Sequence, residues 1–333
     1  MLANKLNKII IAEIGSVHDG SFGNAKELIK LASDCGATCV KFQTHIADAE
    51  SLSDAPNPDY FKDESRLEYF KRTSFSLSQW KELKKIAEEN NLMFLSSPFS
   101  LEAVDLLEKL NLFGYKIPSG EVTNLPLLEK IATLDKPVFL STGMSDWDEL
   151  DAAVAIFKDC DLTIMQCSSM YPCPSENVGL NVILEMKKRY KYRVGFSDHS
   201  DGIAASISAV AFGAKVIEKH FTFSKKMYGS DARHSMEPDE FSLFCKEIKN
   251  AWNILENPID KNDTKPYKDI KKIFQKSIVA ACYIPKNTII NMQHLAFKKP
   301  GDGILANKYR EILGHKTVLK IQKNQKIGFK DIL

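Results

Sequence analysis

The sequence lacks a long apolar run, a marked excess of either charge and an apolar leader. No hydrophobic stretch approaches the roughly 18 residues that a membrane-spanning helix needs. The first 13 residues hold too short an apolar segment for a signal peptide. Lys and Arg exceed Asp and Glu by only 45 − 43 = 2 in 333 residues, which argues against a nucleic-acid-binding surface. We therefore expect a cytoplasmic protein with neither nucleic-acid nor membrane partners.

The cysteines also lack a recognisable pattern. There are seven of them, an odd number, and no pair has CxxC spacing. Both facts argue against a structural zinc site and against a disulfide framework. We expect most of these residues to be small buried side chains in a reducing compartment.

Short β-rich apolar runs alternate with amphipathic stretches of 10 to 15 residues over the first 255 positions. The predicted strands are residues 9–14, 38–42, 92–96, 114–117, 137–141, 162–167, 193–196 and 215–219. The predicted helices are residues 24–35, 77–90, 101–110, 125–134, 146–157, 178–190, 202–212 and 238–255. Eight such units predict a (β/α)8 TIM barrel. An open dinucleotide-binding sheet is less favoured, since no GxGxxG follows the first strand.

The chain changes character after the eighth helix. Residues 257–266 are polar, rich in structure breakers and without periodicity, which is typical of a linker. Further on, β-like runs occur at 277–283 and 317–321, separated by Pro- and Gly-containing turns. We predict a barrel domain at 1–256, a linker at 257–275 and a small β domain at 276–333.

Polar residues end every predicted strand, where a TIM barrel carries its active site. His199 and His220 end strands seven and eight, and Glu13 ends the neighbouring first strand. Two imidazoles and a carboxylate there would suit a divalent transition metal with positions left open for substrate. Lys41 and Lys116 supply cations at the same edge, and hydroxyl groups accompany them at Ser97, Ser119, Ser141 and Ser197. Together these side chains predict a site for a phosphate or a carboxylate.

Two connections are long for a compact domain, residues 45–73 and 222–237. Both are predicted to be loops that form a lid or a wall over the barrel mouth.

Nine short motifs at these strand ends resemble those of the sialic acid synthases. They are AEIG at 12–15, VKFQ at 40–43, SPF at 97–99, YKIPSGE at 115–121, STGM at 141–144, YP at 171–172, SDH at 197–199, EKH at 218–220 and SMEP at 235–238. The stretches KSIVA at 276–280 and KKPGDGI at 298–304 resemble the antifreeze-like (SAF) β domain that ends these enzymes. The resemblance covers nearly the whole chain.

The resemblance implies a transferase that condenses phosphoenolpyruvate with an N-acetylated hexose and water and releases phosphate. The sugar would be N-acetylmannosamine or 2,4-diacetamido-2,4,6-trideoxymannose, giving N-acetylneuraminate or N,N'-diacetyllegionaminate. A divalent metal, typically Mn²⁺ with Mg²⁺ or Co²⁺ as alternatives, would polarise the aldehyde of the open-chain sugar. The enol carbon would attack that aldehyde, water would add, and phosphate would leave. The family also implies a domain-swapped homodimer.

The resemblance assigns roles to individual residues. His199 and His220 would bind the metal. The phosphoenolpyruvate site would comprise Lys41, Ser97, Lys116, Ser119, Ser141, Ser169 and Ser197. The sugar would face Gln43, Glu121, Tyr171, Asp231 and Lys299. The catalytic carboxylates would be Glu13, Glu218 and Asp231, and either Glu13 or Asp231 would handle the water.

Three positions depart from the family pattern. Val17–His18 replaces a frequent Asn–His, Ser169 replaces an Asn that in some members contacts phosphoenolpyruvate, and Lys299 replaces an Arg that reaches the sugar from the partner subunit. Because Lys lacks the planar two-pronged geometry of Arg, Lys299 bears on which sugar is used. Two alternatives remain, a synthase of a shorter 3-deoxy keto-sugar acid and a non-catalytic carbohydrate-binding barrel.

Overall fold

The computed structural model describes residues 8–57, 64–229 and 231–333. The chain divides into two compact units, Met1–Asn257 and Pro258–Leu333. No helix in these described ranges combines the length and the apolar character needed to span a bilayer. All seven cysteines are free thiols, five of them buried.

Unit one is built on a closed barrel of parallel strands in which each strand pairs with the next in the chain and the last with the first. The strands are β1 (Ile9–Gly15), β2 (Cys39–Thr44), β3 (Met93–Pro98), β4 (Gly114–Ile117), β5 (Val138–Ser141), β6 (Leu162–Cys167), β7 (Arg193–Asp198) and β8 (Val216–His220). The predicted TIM barrel is thus confirmed, and each strand begins or ends within two residues of its predicted limits.

Helices follow the strands and cover the outside of the barrel. They are α1 (Phe22–Asp34), α2 (Ala47–Glu50), α3 (Arg66–Thr73), α4 (Leu77–Glu89), α5 (Leu101–Glu108), α6 (Leu125–Ala132), α7 (Trp147–Ile156), α8 (Asn181–Tyr190), α9 (Ala204–Ala211) and α10 (Pro238–Glu256). Side-chain caps set several of the starts. Ser76 and Asp146, for example, form capping boxes with Gln79 and Glu149.

The inside of the barrel changes from apolar to polar along each strand. One end is filled by a cluster of buried side chains, which are Ile9, Ile11, Cys39, Leu95, Phe139, Met165 and Val216. Because side chains alternate across a strand, the next inward positions fall at the carboxyl ends, where Glu13, Lys41 and Glu218 are also buried. These apolar side chains therefore form the floor beneath a charged site.

The connection at 45–73 is not the loop predicted from the sequence. It contains α2 and α3, and α3 begins with a capping box between Ser65 and Glu68. Residues 58–63 of this connection lie outside the described residues. The second connection, 222–237, is largely irregular apart from a 3-10 turn at Ala232–His234, and residue 230 is not described.

Unit two contains a short helix and a small two-stranded sheet. Helix α11 (Lys268–Phe274) lies inside the segment predicted as a linker. Strands β9 (Ser277–Ala280) and β10 (Leu295–Lys298) pair antiparallel above a core of isoleucines. The prediction of a strand at 317–321 was wrong, because that stretch makes only single bridges, such as Thr317 with Ile332. Strand β10 was missed, since four residues are too few to show a period.

Candidate active site

A cavity of about 550 Å³ opens at the carboxyl ends of the barrel strands. Most of the residues predicted for the site line this cavity. They are Glu13, Lys41, Gln43, Lys116, Ser119, Ser141, Ser169, Tyr171, Ser197, His199, Glu218, His220 and Asp231. The structure thus brings together side chains that are up to 218 positions apart in the sequence.

Two lysines and two glutamates form a charged cluster at the base of the cavity. Lys41 Nζ lies 3.1 Å from Glu13 Oε2 and 3.4 Å from Glu218 Oε1. Lys116 Nζ lies 3.5 Å from the same Glu218 oxygen. All four side chains are at most 5% exposed. Buried charges persist only when paired, and here each lysine has a carboxylate within reach.

The two carboxyl groups have different proton affinities. Burial raises the pKa of Glu13 by more than Lys41 lowers it, and Glu218 raises it further. Burial also acts to raise the pKa of Glu218, but Lys116, Lys41 and the Ser197 hydroxyl outweigh it and bring that pKa to about 2. Ser197 Oγ donates to Glu218 Oε1 at 2.9 Å. Glu218 is therefore a fixed anion, whereas Glu13 is the better proton acceptor.

The lysines are aimed by hydroxyl groups on the next strands. Lys41 Nζ donates to Ser97 Oγ at 3.3 Å, and Lys116 Nζ donates to Ser141 Oγ at 2.7 Å. Ser97 does not itself line the cavity but supports Lys41 from β3. Burial lowers the pKa of Lys116, while the two glutamates outweigh burial and raise that of Lys41.

Gly143 brings the backbone close to two further hydroxyl groups. Its N–H donates to Ser119 Oγ at 2.9 Å. A Cβ at this position would lie 2.5 Å from Ser169 Oγ and 2.9 Å from Ser119 Oγ. Only glycine leaves room for both serines, so this part of the wall is a compact set of polar groups beside Lys116.

The two predicted imidazoles face each other with ring centroids 5.6 Å apart. His199 Nδ1 lies 2.8 Å from the Ser168 carbonyl oxygen, and its Nε2 lies 3.0 Å from Tyr171 Oη. Because a carbonyl oxygen only accepts, Nδ1 carries the proton and Nε2 accepts from the tyrosine. Burial, followed by the charge of His220, lowers the pKa of His199 to about 3. His220 Nδ1 is buried without a hydrogen-bond partner.

These imidazoles have the chemistry of metal ligands, which must be neutral. The unpartnered nitrogen of His220 and the neutral ring of His199 fit a divalent ion. Among the described residues, however, no three His, Cys, Asp or Glu side chains come together around one point. The carboxylate of Glu13 is held by Lys41 and Gln43. Water and substrate would have to complete the coordination.

Gly15 marks the point where Glu13 converges with Gln43 and Asp231, two residues predicted to face the sugar. The β1–β2 register shifts between Glu13 and Gly15, and Gly15 has a φ of +53°. A Cβ there would lie 2.8 Å from Asp231 Oδ2, 3.2 Å from Gln43 Nε2 and 3.3 Å from Glu13 Oε1. The backbone therefore lies against all three side chains at once.

Of the residues predicted to face the sugar, Glu121 does not line the cavity. Glu121 is half-buried and accepts from Asn124 Nδ2 at 2.8 Å. Lys299 belongs to unit two, where it is exposed and its Nζ lies 4.8 Å from the centre of the Phe274 ring.

The cavity also has lining residues that the sequence reasoning missed. They are Ser16, His45, Arg66, Tyr69, Phe70, Phe99, Met144 and His234, with Pro118, Gly120 and Cys167. Three of these, Arg66, Tyr69 and Phe70, come from α3. Tyr69 and Phe70 lie three and four residues after Arg66, and this helical spacing behind the N-cap Ser65 was a signal available in the sequence. The prolines at 56 and 58 favoured a loop instead.

Residues 28–260, which include both imidazoles and both site lysines, match the family model described as the NeuB family. The chain belongs to the NeuB family. This confirms the resemblance inferred from the nine motifs. Over 316 residues, 92% of the chain and 94% of the relative, it is 41% identical to N,N'-diacetyllegionaminic acid synthase of Campylobacter jejuni.

The NeuB-family match extends to relatives with other named products. The chain is 34% identical to N-acetylneuraminate-9-phosphate synthase of Homo sapiens, over 96% of the chain and 90% of the relative. It also superposes on the N-acetylneuraminic acid synthetase of Leptospira borgpetersenii, solved in complex with citrate, with a TM-score of 0.70 and 29% identity. That match covers 80% of this chain and 91% of the solved one. Since the named products differ, family membership leaves the sugar to be determined.

Proposed function

We propose that this protein condenses phosphoenolpyruvate with an N-acetylated hexose and water, releasing phosphate and a nine-carbon sugar acid. The observation that carries the proposal is the pair of buried lysines, each held by a serine hydroxyl, beside the two imidazoles of His199 and His220. The preferred sugar is 2,4-diacetamido-2,4,6-trideoxymannose, giving N,N'-diacetyllegionaminate, because the relative of that name shares 41% identity over nearly the full chain. N-acetylmannosamine is the alternative.

Phosphoenolpyruvate would bind at the lysine end of the cavity. Its carboxylate and phosphate would be met by Lys41 and Lys116, with Ser119, Ser141 and Ser169 as hydroxyl partners. Because both lysine side chains are buried, these charge-assisted hydrogen bonds are strong. They fix the enol carbon toward the side of the cavity that holds Asp231 and Gln43.

Proton transfer would fall to the carboxyls beside Gly15. Glu13 accepts a proton more readily than Glu218, since its pKa is raised by burial. Glu13 and Asp231 both stand near Gln43, so either can orient the water that adds to the cationic carbon. Glu218 stays anionic and balances the lysines throughout the reaction.

A divalent ion, with Mn²⁺ the first choice, would be held by His199 and His220. When bound, such an ion supplies Lewis-acid polarisation of the aldehyde oxygen of the open-chain sugar. Since Nδ1 of His199 carries the proton, Nε2 would face the ion, and the Tyr171 hydroxyl that donates to Nε2 would then move aside. Ser168 fixes the tautomer from the other side of the ring.

The experiment measures phosphate release from phosphoenolpyruvate with Mn²⁺ or with EDTA across a panel of N-acetylated hexoses. We expect release with one sugar, abolished by EDTA and reduced at least about a hundredfold in the double variant H199A/H220A. The matched control, H294A/H315A, removes two imidazoles from unit two. Full activity of H199A/H220A would show the metal assignment to be wrong, and no release with any sugar would overturn the proposed reaction.

We further propose that unit two is an antifreeze-like domain and that the protein is a domain-swapped homodimer. The support is the motif resemblance at 276–280 and 298–304, together with relatives that match 92% or more of the chain. Light scattering coupled to size-exclusion chromatography tests the dimer. If Lys299 reaches across, mixing K299A with the inactive K116M should restore activity, because the intact barrel of the K299A chain would receive Lys299 from the K116M chain.

A further inference from the structure

His45 lines the cavity, yet neither the motifs nor the proposed reaction gives it a role. It follows directly on β2, so Lys41, Gln43 and His45 lie on one face of the strand. The ring is stacked between Phe70 and Phe99, with centroid distances of 3.7 and 4.2 Å and interplanar angles of 12° and 19°. Only 6% of the side chain is exposed. The ring is therefore held in a single plane.

Both ring nitrogens of His45 face atoms that can only accept a hydrogen bond. Nδ1 lies 2.9 and 3.0 Å from the two carboxylate oxygens of Glu50, and Nε2 lies 3.1 Å from Gln43 Oε1. Carboxylates and carboxamide oxygens accept and do not donate. Nδ1 is therefore placed to donate to Glu50, and Nε2 is placed to donate to Gln43. Glu50, itself 5% exposed, holds the ring at Nδ1, and the two stacked aromatic rings hold it from both faces.

The orientation of the Gln43 carboxamide follows from this arrangement. With its oxygen turned to His45, its Nε2 donates to Glu13 Oε1 at 2.9 Å. Without the Nε2 proton of His45, a lone pair would oppose the amide oxygen and the carboxamide would turn over. Its oxygen would then face the Glu13 carboxylate, and two acceptors would repel each other. A one-way chain of donors thus runs from His45 through Gln43 to Glu13.

We propose that His45 is a positioning residue that, held by Glu50 at Nδ1, donates from Nε2 to the Gln43 oxygen and so fixes the Gln43 carboxamide to donate to Glu13 and to present a set orientation to the sugar. The inference rests on the proposed function in one respect, namely that Gln43 and Glu13 act at the sugar site. The hydrogen-bond chain itself stands on the geometry alone.

Three variants separate the possible roles of His45. H45Q places an amide N–H near the position of Nε2 and keeps a donor for Gln43. H45N places its amide near Nδ1 and keeps only the partner for Glu50. H45F keeps the aromatic stack and has no donor. Thermal unfolding of each variant shows whether the barrel remains folded.

The kinetic readout is the kcat/KM for the sugar beside the KM for phosphoenolpyruvate. We expect kcat/KM for the sugar to fall about tenfold to a hundredfold in H45N and H45F, because small misplacements in a site have effects of that size. H45Q should lose no more than about fivefold. The KM for phosphoenolpyruvate should stay within about twofold, since Lys41 and Lys116 are untouched. Equal losses in H45Q and H45N would overturn the proposal.

A second readout needs no turnover. In protein labelled with ¹⁵N-glutamine, the side-chain amide signals of Gln43 are assigned by their loss in Q43M. We expect them to shift in H45N and H45F and to stay close to wild type in H45Q. Unchanged Gln43 signals in all three variants would refute the positioning role. This measurement decides the inference even if no sugar supports phosphate release, so a failure of the proposed reaction is recognised separately.

Discussion

Acid should destabilise the barrel through one histidine outside the proposed chemistry, His18. The residue is 2% exposed, its Nδ1 accepts from the Gly20 N–H at 3.1 Å, and its ring packs on Phe75 with centroids 4.6 Å apart. Burial, and then the charge of His45, lowers its pKa from the ordinary 6.5 to about 4. The folded protein therefore keeps His18 neutral at pH values where the unfolded chain protonates it.

The size of the effect follows from proton linkage. Because the pKa is lower in the folded state, stability falls as the pH drops from 6.5 toward 4. With one pKa unit equivalent to about 1.4 kcal/mol, the contribution of His18 between pH 7 and pH 5 is about 2 kcal/mol. In H18N the side-chain oxygen can still accept from Gly20, but nothing at this position titrates.

The assay is urea unfolding at pH 7, 6 and 5, followed by tryptophan fluorescence. All three tryptophans, at positions 80, 147 and 252, belong to unit one, so the signal reports on the barrel. H18N is expected to be less stable than wild type at pH 7, because the stacked ring is lost. Between pH 7 and pH 5 it should lose about 2 kcal/mol less than wild type does. Parallel pH dependences in the two proteins would refute the reasoning, since every other titrating group is common to both.

Glycine and lysine substitutions provide further tests, each with a matched partner. G15A should abolish phosphate release, because its Cβ would lie 2.8 Å from a site carboxylate. G202A is the control, because Gly202 also has a positive φ, +70°, but has open space around it. It should lose about 1–2 kcal/mol of stability from the backbone strain alone and keep activity. K116M should weaken phosphoenolpyruvate binding about tenfold or more by calorimetry while the fold is retained. K219M should instead destabilise the barrel by about 3 kcal/mol, because it leaves the buried Asp198 without its cation 3.0 Å away.

The barrel was predictable because its signals are local and repeated. Each strand is a short β-rich run, and each of the eight predicted helices shows a helical period, so errors at single boundaries do not change the count. The location of the site followed from the same count, since strand ends in a barrel converge whatever their distance in sequence. Lys41 and His220, for example, needed only correct strand assignments to be placed in one cavity.

Features that depend on a few residues were not predictable. Helix α3 spans only Arg66–Thr73, and two prolines precede it, yet it carries three cavity residues. In unit two, β10 has four residues and most of the remaining pairing consists of single bridges. Such elements are stabilised by tertiary packing rather than by propensity, and a sequence pattern does not show the packing partner.

The division of labour between Glu13 and Glu218 shows the same limit at the level of chemistry. Both are glutamates at inward positions of neighbouring strands, β1 and β8, and the sequence offers no reason to distinguish them. The structure does, because Glu218 lies within 3.5 Å of two lysines and accepts from Ser197, whereas Glu13 has one lysine and an amide. One more cation is enough to lower one pKa to about 2 while burial raises the other. Two carboxyls with such different proton affinities suit separate roles, Glu218 as the counter-ion of the lysines and Glu13 as the proton carrier. We therefore expect variants of Glu13, Gln43 and His45 to change the pH dependence of the reaction more than variants elsewhere in the cavity.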